Sequence, residues 1–236
     1  MKKIISILMI ITLLFAFTAC SSQSTENETV NDNTTSTKQV TEKQNETQNN
    51  SAQKILIAYF SVPENTDTND ADAVASASIV VSNEEKMGNT EYVANVIQKA
   101  TGGDLFEIKT EKEYPLDHEE LVDYARREQS ENARPKLTTA VDNFEQYDVI
   151  FIGYPNWWAD MPMPVYSFLE AYDFSGKTIV PFVTHGGSGA SNTISTISQI
   201  QPNTVVSDHA FVVSRNDVSD SETDITDWIE DLGYKK

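Results

Sequence analysis

Four stretches of this chain are apolar almost without interruption: Ile55–Phe60, Val149–Gly153, Thr178–Val183 and Ala210–Val213. A strand with one wet face alternates apolar and polar residues. A continuous run has both faces covered, and such strands belong to parallel sheets flanked by helices. Leu105–Ile108 is a shorter, partly alternating fifth run, as expected nearer an edge. Pro181 sits inside one of the central runs, where it removes a ladder donor. Amphipathic helical patterns lie between and after the runs. Thr90–Ala100 puts Val93, Ala94, Ile97 and Ala100 on one face. Asp117–Asn132, Pro164–Tyr172, Ser191–Ile200 and Ser219–Leu232 follow the same period. Strand and helix alternate, which predicts an α/β fold: a five-stranded parallel sheet, doubly wound, with helices on both faces.

In such a sheet ligands bind beyond the carboxyl ends of the strands. Three of those loops have unusual composition. After the first strand comes Ser61, and further on Gly88-Asn89-Thr90-Glu91 opens a helix. A helix N-terminus presents unpaired N–H groups and a positive dipole end, so it suits a phosphate. Gly88 allows close approach, and Ser61, Asn89 and Thr90 offer neutral donors. There is no lysine of the P-loop kind. Taken alone, the segment reads equally well as a helix cap.

After the third strand comes Tyr154-Pro155-Asn156-Trp157-Trp158-Ala159-Asp160-Met161-Pro162-Met163-Pro164. Adjacent tryptophans in a loop need something flat and apolar to cover them, either a ring or neighbouring helices. After the fourth strand comes Thr184-His185-Gly186-Gly187-Ser188-Gly189-Ala190. Its glycines bring peptide N–H groups close to a ligand.

The order of these three loops resembles the flavodoxin-like superfamily. The motifs Tyr59-Phe60-Ser61, Gly88-Asn89-Thr90, Gly153-Tyr154-Pro155-Asn156-Trp157-Trp158 and Thr184-His185-Gly186-Gly187-Ser188-Gly189 are most similar to a bacterial FMN-binding flavodoxin subfamily. The resemblance covers about residues 53–232. It implies strand order 2-1-3-4-5 and FMN as cofactor. It also implies a cofactor set of Ser61, Gly88, Asn89, Thr90, Pro155, Asn156, Trp157, Trp158, Thr184, His185, Gly186, Gly187, Ser188 and Gly189. No side chain need act as acid or base, so no catalytic residue and no metal ligand is expected. FMN carries the chemistry and the protein tunes it. Aromatic walls and nearby carboxylates would hold the potential of the second electron low. One departure is the acidic insert Val62–Met87 between Ser61 and Gly88, with an apolar stretch at Ile79-Val80-Val81. It places Ser61 far from Gly88 along the chain and offers cover for the cofactor or a partner surface.

Residues 1–20 read as a lipoprotein signal peptide. Lys2 and Lys3 precede the apolar run Ile4–Phe17, which is short for a membrane span, and Cys20 is the chain's one cysteine. Phe17-Thr18-Ala19-Cys20 resembles a bacterial lipobox, with Phe17 where leucine is usual, and implies lipidation (diacylglycerol, palmitate) at Cys20. Residues 21–52 are nearly all polar and read as a disordered tether. Residues 53–236 then form the folded domain. With no further cysteine, disulfides and thiolate metal sites are excluded.

The formal net charge is -19, and only Lys2, Lys3, Lys38 and Lys43 against Glu26, Glu28, Asp32, Glu42 and Glu46 precede residue 53, which leaves -18 on the domain. Such a surface repels nucleic acid and anionic lipid, so the expected membrane contact is the lipid anchor alone. Partners are then a redox protein or a small-molecule electron donor or acceptor. The reading is an exported FMN protein transferring electrons at the outer face of a bacterial membrane. Its rivals are an NAD(P)H-dependent flavin quinone reductase and a non-redox ligand-binding lipoprotein on the same fold. A serine hydrolase at Gly186-Gly187-Ser188-Gly189-Ala190 would need an acid and a histidine downstream; His209 is the one histidine that follows, and its neighbour Asp208 is too close in sequence for the usual geometry.

Overall fold

A computed structural model describes residues 53–65, 79–82 and 85–236. Cys20, the 21–52 tether and most of the insert lie outside the described residues.

The strands and helices fall within a few residues of the expected runs. In chain order they are β1 (Ile55–Tyr59), β2 (Ile79–Ser82), β3 (Glu85–Gly88), α1 (Asn89–Thr101), β4 (Asp104–Glu107), α2 (His118–Ser130), β5 (Val149–Pro155), α3 (Met163–Ala171), β6 (Thr178–His185), α4 (Thr193–Ile200), β7 (Val205–Val206), β8 (Phe211–Ser214) and α5 (Glu222–Asp231). The main sheet runs β4-β1-β5-β6-β7, with β8 also paired to β6. Every pair in it is parallel.

The expected order is therefore present, with the fifth position built from two pieces. β7 pairs the start of β6 (Thr178↔Val205) and β8 its end (Phe182↔Phe211). Pro181 explains the break. Ile179 accepts from Ser207 N–H at 2.8 Å and His185 accepts from Arg215 N–H at 2.8 Å, so odd-numbered residues of β6 face this edge. Pro181 thus turns its missing donor toward the gap between β7 and β8, where no partner strand asks for it.

Alternation along the strands sorts the core into two layers. Leu56, Ala58, Ile150, Ile152 and Val183 face Leu121, Val165, Phe168 and Ile197 of α2, α3 and α4. Ile57, Tyr59, Phe151, Val180 and Phe182 face Val93, Ile97, Ile225 and Ile229 of α1 and α5. Each fully buried Leu, Ile or Phe in these layers contributes about 1.5–3 kcal/mol of transfer free energy. Gly153 is a glycine because a Cβ there would meet the Phe182 ring at 2.0 Å.

The described end of the insert is an antiparallel hairpin, with Ile79 opposite Gly88 and Val80 opposite Met87. Ile79 and Val80 are buried, and Val80 joins the α1/α5 layer. The hairpin delivers the chain straight into α1, so the insert returns to the sheet as a folded element.

Candidate functional site

Because β1 leads to β4 on one side and the chain then crosses to β5 on the other, the strand order reverses between β1 and β5. Beyond the carboxyl ends of β1, β5 and β6 lies a cleft of about 170 Å³. This is where a doubly wound sheet binds ligands.

The phosphate end forms where β1 meets α1. Gly88 is the N-cap of α1, in extended backbone at φ -70°, ψ 150°. A Cβ on Gly88 would stand 2.0 Å from Ser61 Oγ, so the insert notwithstanding, Ser61 packs directly on Gly88. Asn89 is the first helical residue, so the capping position falls to Gly88 and not to Asn89. Glu91 accepts from Gly88 N–H at 3.3 Å, closing one of the free N–H groups of the first turn. Thr90 Oγ1 and Thr184 Oγ1 are 2.9 Å apart and buried, tying this end to the end of β6. One hydroxyl donates to the other, and the second hydroxyl hydrogen stays available to a ligand.

The aromatic loop is a tight reversal. Trp157 N–H donates to Asp160 O and Asp160 N–H to Trp157 O, both at 3.0 Å. The two residues between them have φ of 54° (Trp158) and 62° (Ala159). Non-glycine residues held in the left-handed region cost about 1–2 kcal/mol each. The reversal persists because it is tied on several sides. Asp160 Oδ1 accepts from Met161 N–H at 2.7 Å and from Tyr166 Oη at 2.8 Å. Trp158 Nε1 donates to Val122 O at 3.2 Å, and the Arg126 guanidinium lies 4.1 Å from the ring centroid. Trp157 packs edge-on to Phe60 at 5.5 Å. Both indoles line the cleft, Trp158 remaining 41% exposed. The two earlier options both apply: each ring has a protein partner and still faces the slot.

The glycine-rich loop is set by Asn156, whose Nδ2 donates to Gly189 O at 2.6 Å and to Ser191 Oγ at 2.9 Å. Gly187 needs its freedom at φ 131°. Gly187 N–H donates to His185 Nδ1 at 2.9 Å, which requires that nitrogen unprotonated. Burial holds the His185 pKa below its ordinary value, against an opposing pull from Asp217. Thr184, His185 and Gly186 line the cleft, whereas Gly187, Ser188 and Gly189 are not among its lining residues. His209 pairs with its neighbour Asp208 at 3.7 Å on an exposed surface.

Of the sequence-derived residues, Asn89, Pro155, Asn156, Trp157, Trp158, Thr184, His185 and Gly186 share the cleft. Ser61, Gly88 and Thr90 cluster beside it. Sequence reading missed the opposite wall. Leu121, Val122 and Ala125 of α2 line it, and so do His118 and Glu64, joined at 2.8 Å between Nδ1 and Oε2. Glu64 is 3% exposed. Arg215, just past β8, also lines the cleft. The carboxyl-end rule points to Arg215 if applied to the fifth strand as well as to the others. The α2 residues carried only a core signal.

The donor and acceptor pattern fits FMN. Asn89 is 2% exposed and Asn156 8%, and the Oδ1 of each is buried without a hydrogen-bond partner. A buried acceptor left unsatisfied costs about 1–3 kcal/mol. A ribityl chain and a flavin N3–H supply donors of the kind these two oxygens lack. Ser61, the Gly88–Thr90 turn and the Thr90–Thr184 pair would hold the phosphate, and the indoles the ring.

A family model described as Flavodoxin matches residues 78–232. A candidate flavoprotein from Bacteroides eggerthii is similar in structure, with 28% identity over 76% of this chain and 98% of the other, at a TM-score of 0.58. A candidate flavoprotein from Bacteroides uniformis gives 27% identity over 71% and 96%, at 0.52. No curated protein matches the chain.

Proposed function

Since the chain belongs to the flavodoxin family, we propose that it is an exported, lipid-anchored FMN protein that transfers electrons at the outer face of a bacterial membrane. The observation that carries the FMN part is the pair of buried, donorless amide oxygens, Asn89 Oδ1 and Asn156 Oδ1, in a cleft shared by three separate loops. Bound FMN supplies the redox chemistry. The chain's own residues bind its phosphate, cover its ring and set the charge around it. The surface charge, -18 on residues 53–236, favours a basic partner protein or an uncharged small carrier over an anionic one.

Anchoring rests on Cys20 and the residues before it. Mass spectrometry of the protein from membranes should find a diacylated N-terminal cysteine, and Cys20→Ser should release the protein from the membrane fraction. Electron transfer is tested by reducing the FMN-loaded protein anaerobically and mixing it with one-electron acceptors. Full reoxidation without a substrate-specific turnover supports the reading, and a flavin that is bound but never reoxidised defeats it.

A flavin-dependent quinone reductase is the second reading. It is favoured by the apolar wall of Leu121, Val122 and Ala125, which gives a flat second molecule a surface beside the slot. Saturable NAD(P)H:quinone turnover would select it.

A further inference from the structure

We propose that Glu91 is a built-in anion at the phosphate end of this site, and that its charge narrows the preference for FMN over riboflavin. The proposal rests on the FMN reading above. It concerns the phosphate alone and needs no particular placement of the ring.

The donors for a phosphate and this carboxylate meet at one residue, Gly88. Gly88 N–H donates to Glu91 Oε2 at 3.3 Å. On its other side Gly88 packs so closely on Ser61 that a Cβ would stand 2.0 Å from Ser61 Oγ. Thr90 Oγ1, in the same turn, lies 2.9 Å from Thr184 Oγ1. The hydroxyls and N–H groups on offer to a phosphate thus sit within one helical turn of Glu91. Asn89 lies in that turn too, 2% exposed and with its Oδ1 lacking a hydrogen-bond partner, so the turn is built for a ligand and not only for a cap. As a cap, glutamate has no advantage over glutamine, which closes the same capping box. What glutamate adds is a charge, and the positive end of a helix favours it.

Glu91 is half-buried and makes no ion pair among the described residues. Lys109 attracts it through space, but that ammonium is exposed and bound to Glu107 at 2.8 Å. Glu107 stands opposite Tyr59 across β1 and β4. Burial first, then the charges of Glu107 and Glu91, hold the Tyr59 hydroxyl pKa above its ordinary value. A phenolate at the end of β1 would be repelled by both carboxylates, and a phosphate beside it meets the same repulsion. In the empty site Glu91 supplies the negative charge that the first-turn N–H groups favour. A phosphate monoester brings about -1.5 to -2 charges at pH 7 and must share those groups with it. Salt screens a half-buried charge only in part. Riboflavin carries the same ring and ribityl chain without the phosphate, so it escapes the repulsion.

The test measures dissociation constants for FMN and riboflavin by fluorescence titration, with circular dichroism to show that each variant is folded. Glu91→Gln keeps the capping bond and removes the charge. It should raise the preference for FMN over riboflavin about tenfold, equivalent to about 1.4 kcal/mol. Glu91→Ser removes the charge by a second route and should move the preference the same way, so the answer does not depend on one neutral variant folding. Glu91→Asp keeps the charge on a shorter arm, and its preference should stay at the wild-type value. Two results overturn the proposal. One is an unchanged or lowered preference in the folded neutral variants. The other is a rise in Glu91→Asp equal to that in Glu91→Gln, which would assign the effect to cap geometry. Failure of the wild-type protein to bind either flavin would instead refute the FMN reading, and this inference with it.

Discussion

Gly88→Ala tests whether Ser61 and the start of α1 form one phosphate site across the insert. The backbone at Gly88 is in a conformation any residue adopts, so alanine brings no dihedral penalty. The effect is steric. The new Cβ would stand 2.0 Å from Ser61 Oγ, 3.2 Å from Ser61 Cβ and 3.6 Å from Pro63 N. The hydroxyl can rotate away, but the Cβ contact also requires the backbone to yield. Overpacking of this kind costs about 1–3 kcal/mol. Rotation also takes a donor from the phosphate, and a hydrogen bond to a charged group contributes about 1.5–3 kcal/mol. We expect FMN affinity to fall about 10- to 100-fold, or about 1.4–2.8 kcal/mol. Riboflavin, which has no phosphate, should lose much less. Ser61→Gly in the Gly88→Ala background should recover stability without recovering the phosphate preference. Fluorescence titration with FMN and riboflavin reads both arms. Undiminished FMN affinity in Gly88→Ala, or equal losses for the two flavins, would refute the shared phosphate site.

Other substitutions report on the remaining loops. Asn156→Ala removes the bonds to Gly189 O and Ser191 Oγ. It should cost about 1–3 kcal/mol in chemical denaturation and weaken FMN binding, since the glycine-rich loop loses its tie. Gly153→Ala drives a Cβ into the fully buried Phe182 ring, and the midpoint of denaturation should drop by the equivalent of at least about 1–3 kcal/mol. Ala159→Gly relieves a left-handed alanine at φ 62°. The gain of about 1–2 kcal/mol exceeds the entropy cost of about 0.4–1 kcal/mol, so this variant should be slightly more stable. For His185 the folded-state pKa lies below the unfolded value of 6.5, so the unfolded state binds more protons in acid. Its contribution is present above pH 6.5 and is lost as pH falls through that value toward the folded pKa, as the Gly187 N–H bond to Nδ1 opens. Amide exchange at Gly187 should accelerate on acidification in the wild type, and His185→Gln should flatten that dependence.

The layered sheet was legible because its strands are buried on both faces, and a run such as Ile55–Phe60 has few other ways to be satisfied. Pro181 looked like an objection to one central strand. It proved to mark the place where the neighbouring edge strand is divided, a fact about sheet register that no local pattern carries. Ser61 and Gly88 meet although the insert separates them, because the hairpin of Ile79 and Val80 folds back into the α1/α5 core. The left-handed Trp158-Ala159 turn has no glycine, so turn chemistry gave no sign of it. Glu64, His118 and the α2 wall were invisible for a different reason. Leu121 and Ala125 serve both core and cleft, and only tertiary packing shows the second use.

The central claim is that loops after β1, β5 and β6 share one flavin. Amide and indole resonances of the isotope-labelled protein, followed by NMR during an FMN titration, address it directly. Asn89, the Asn156 side chain, the Trp158 indole N–H and Gly186 should shift together and saturate at one equivalent. Shifts confined to one loop, or saturating at different ratios, would contradict it.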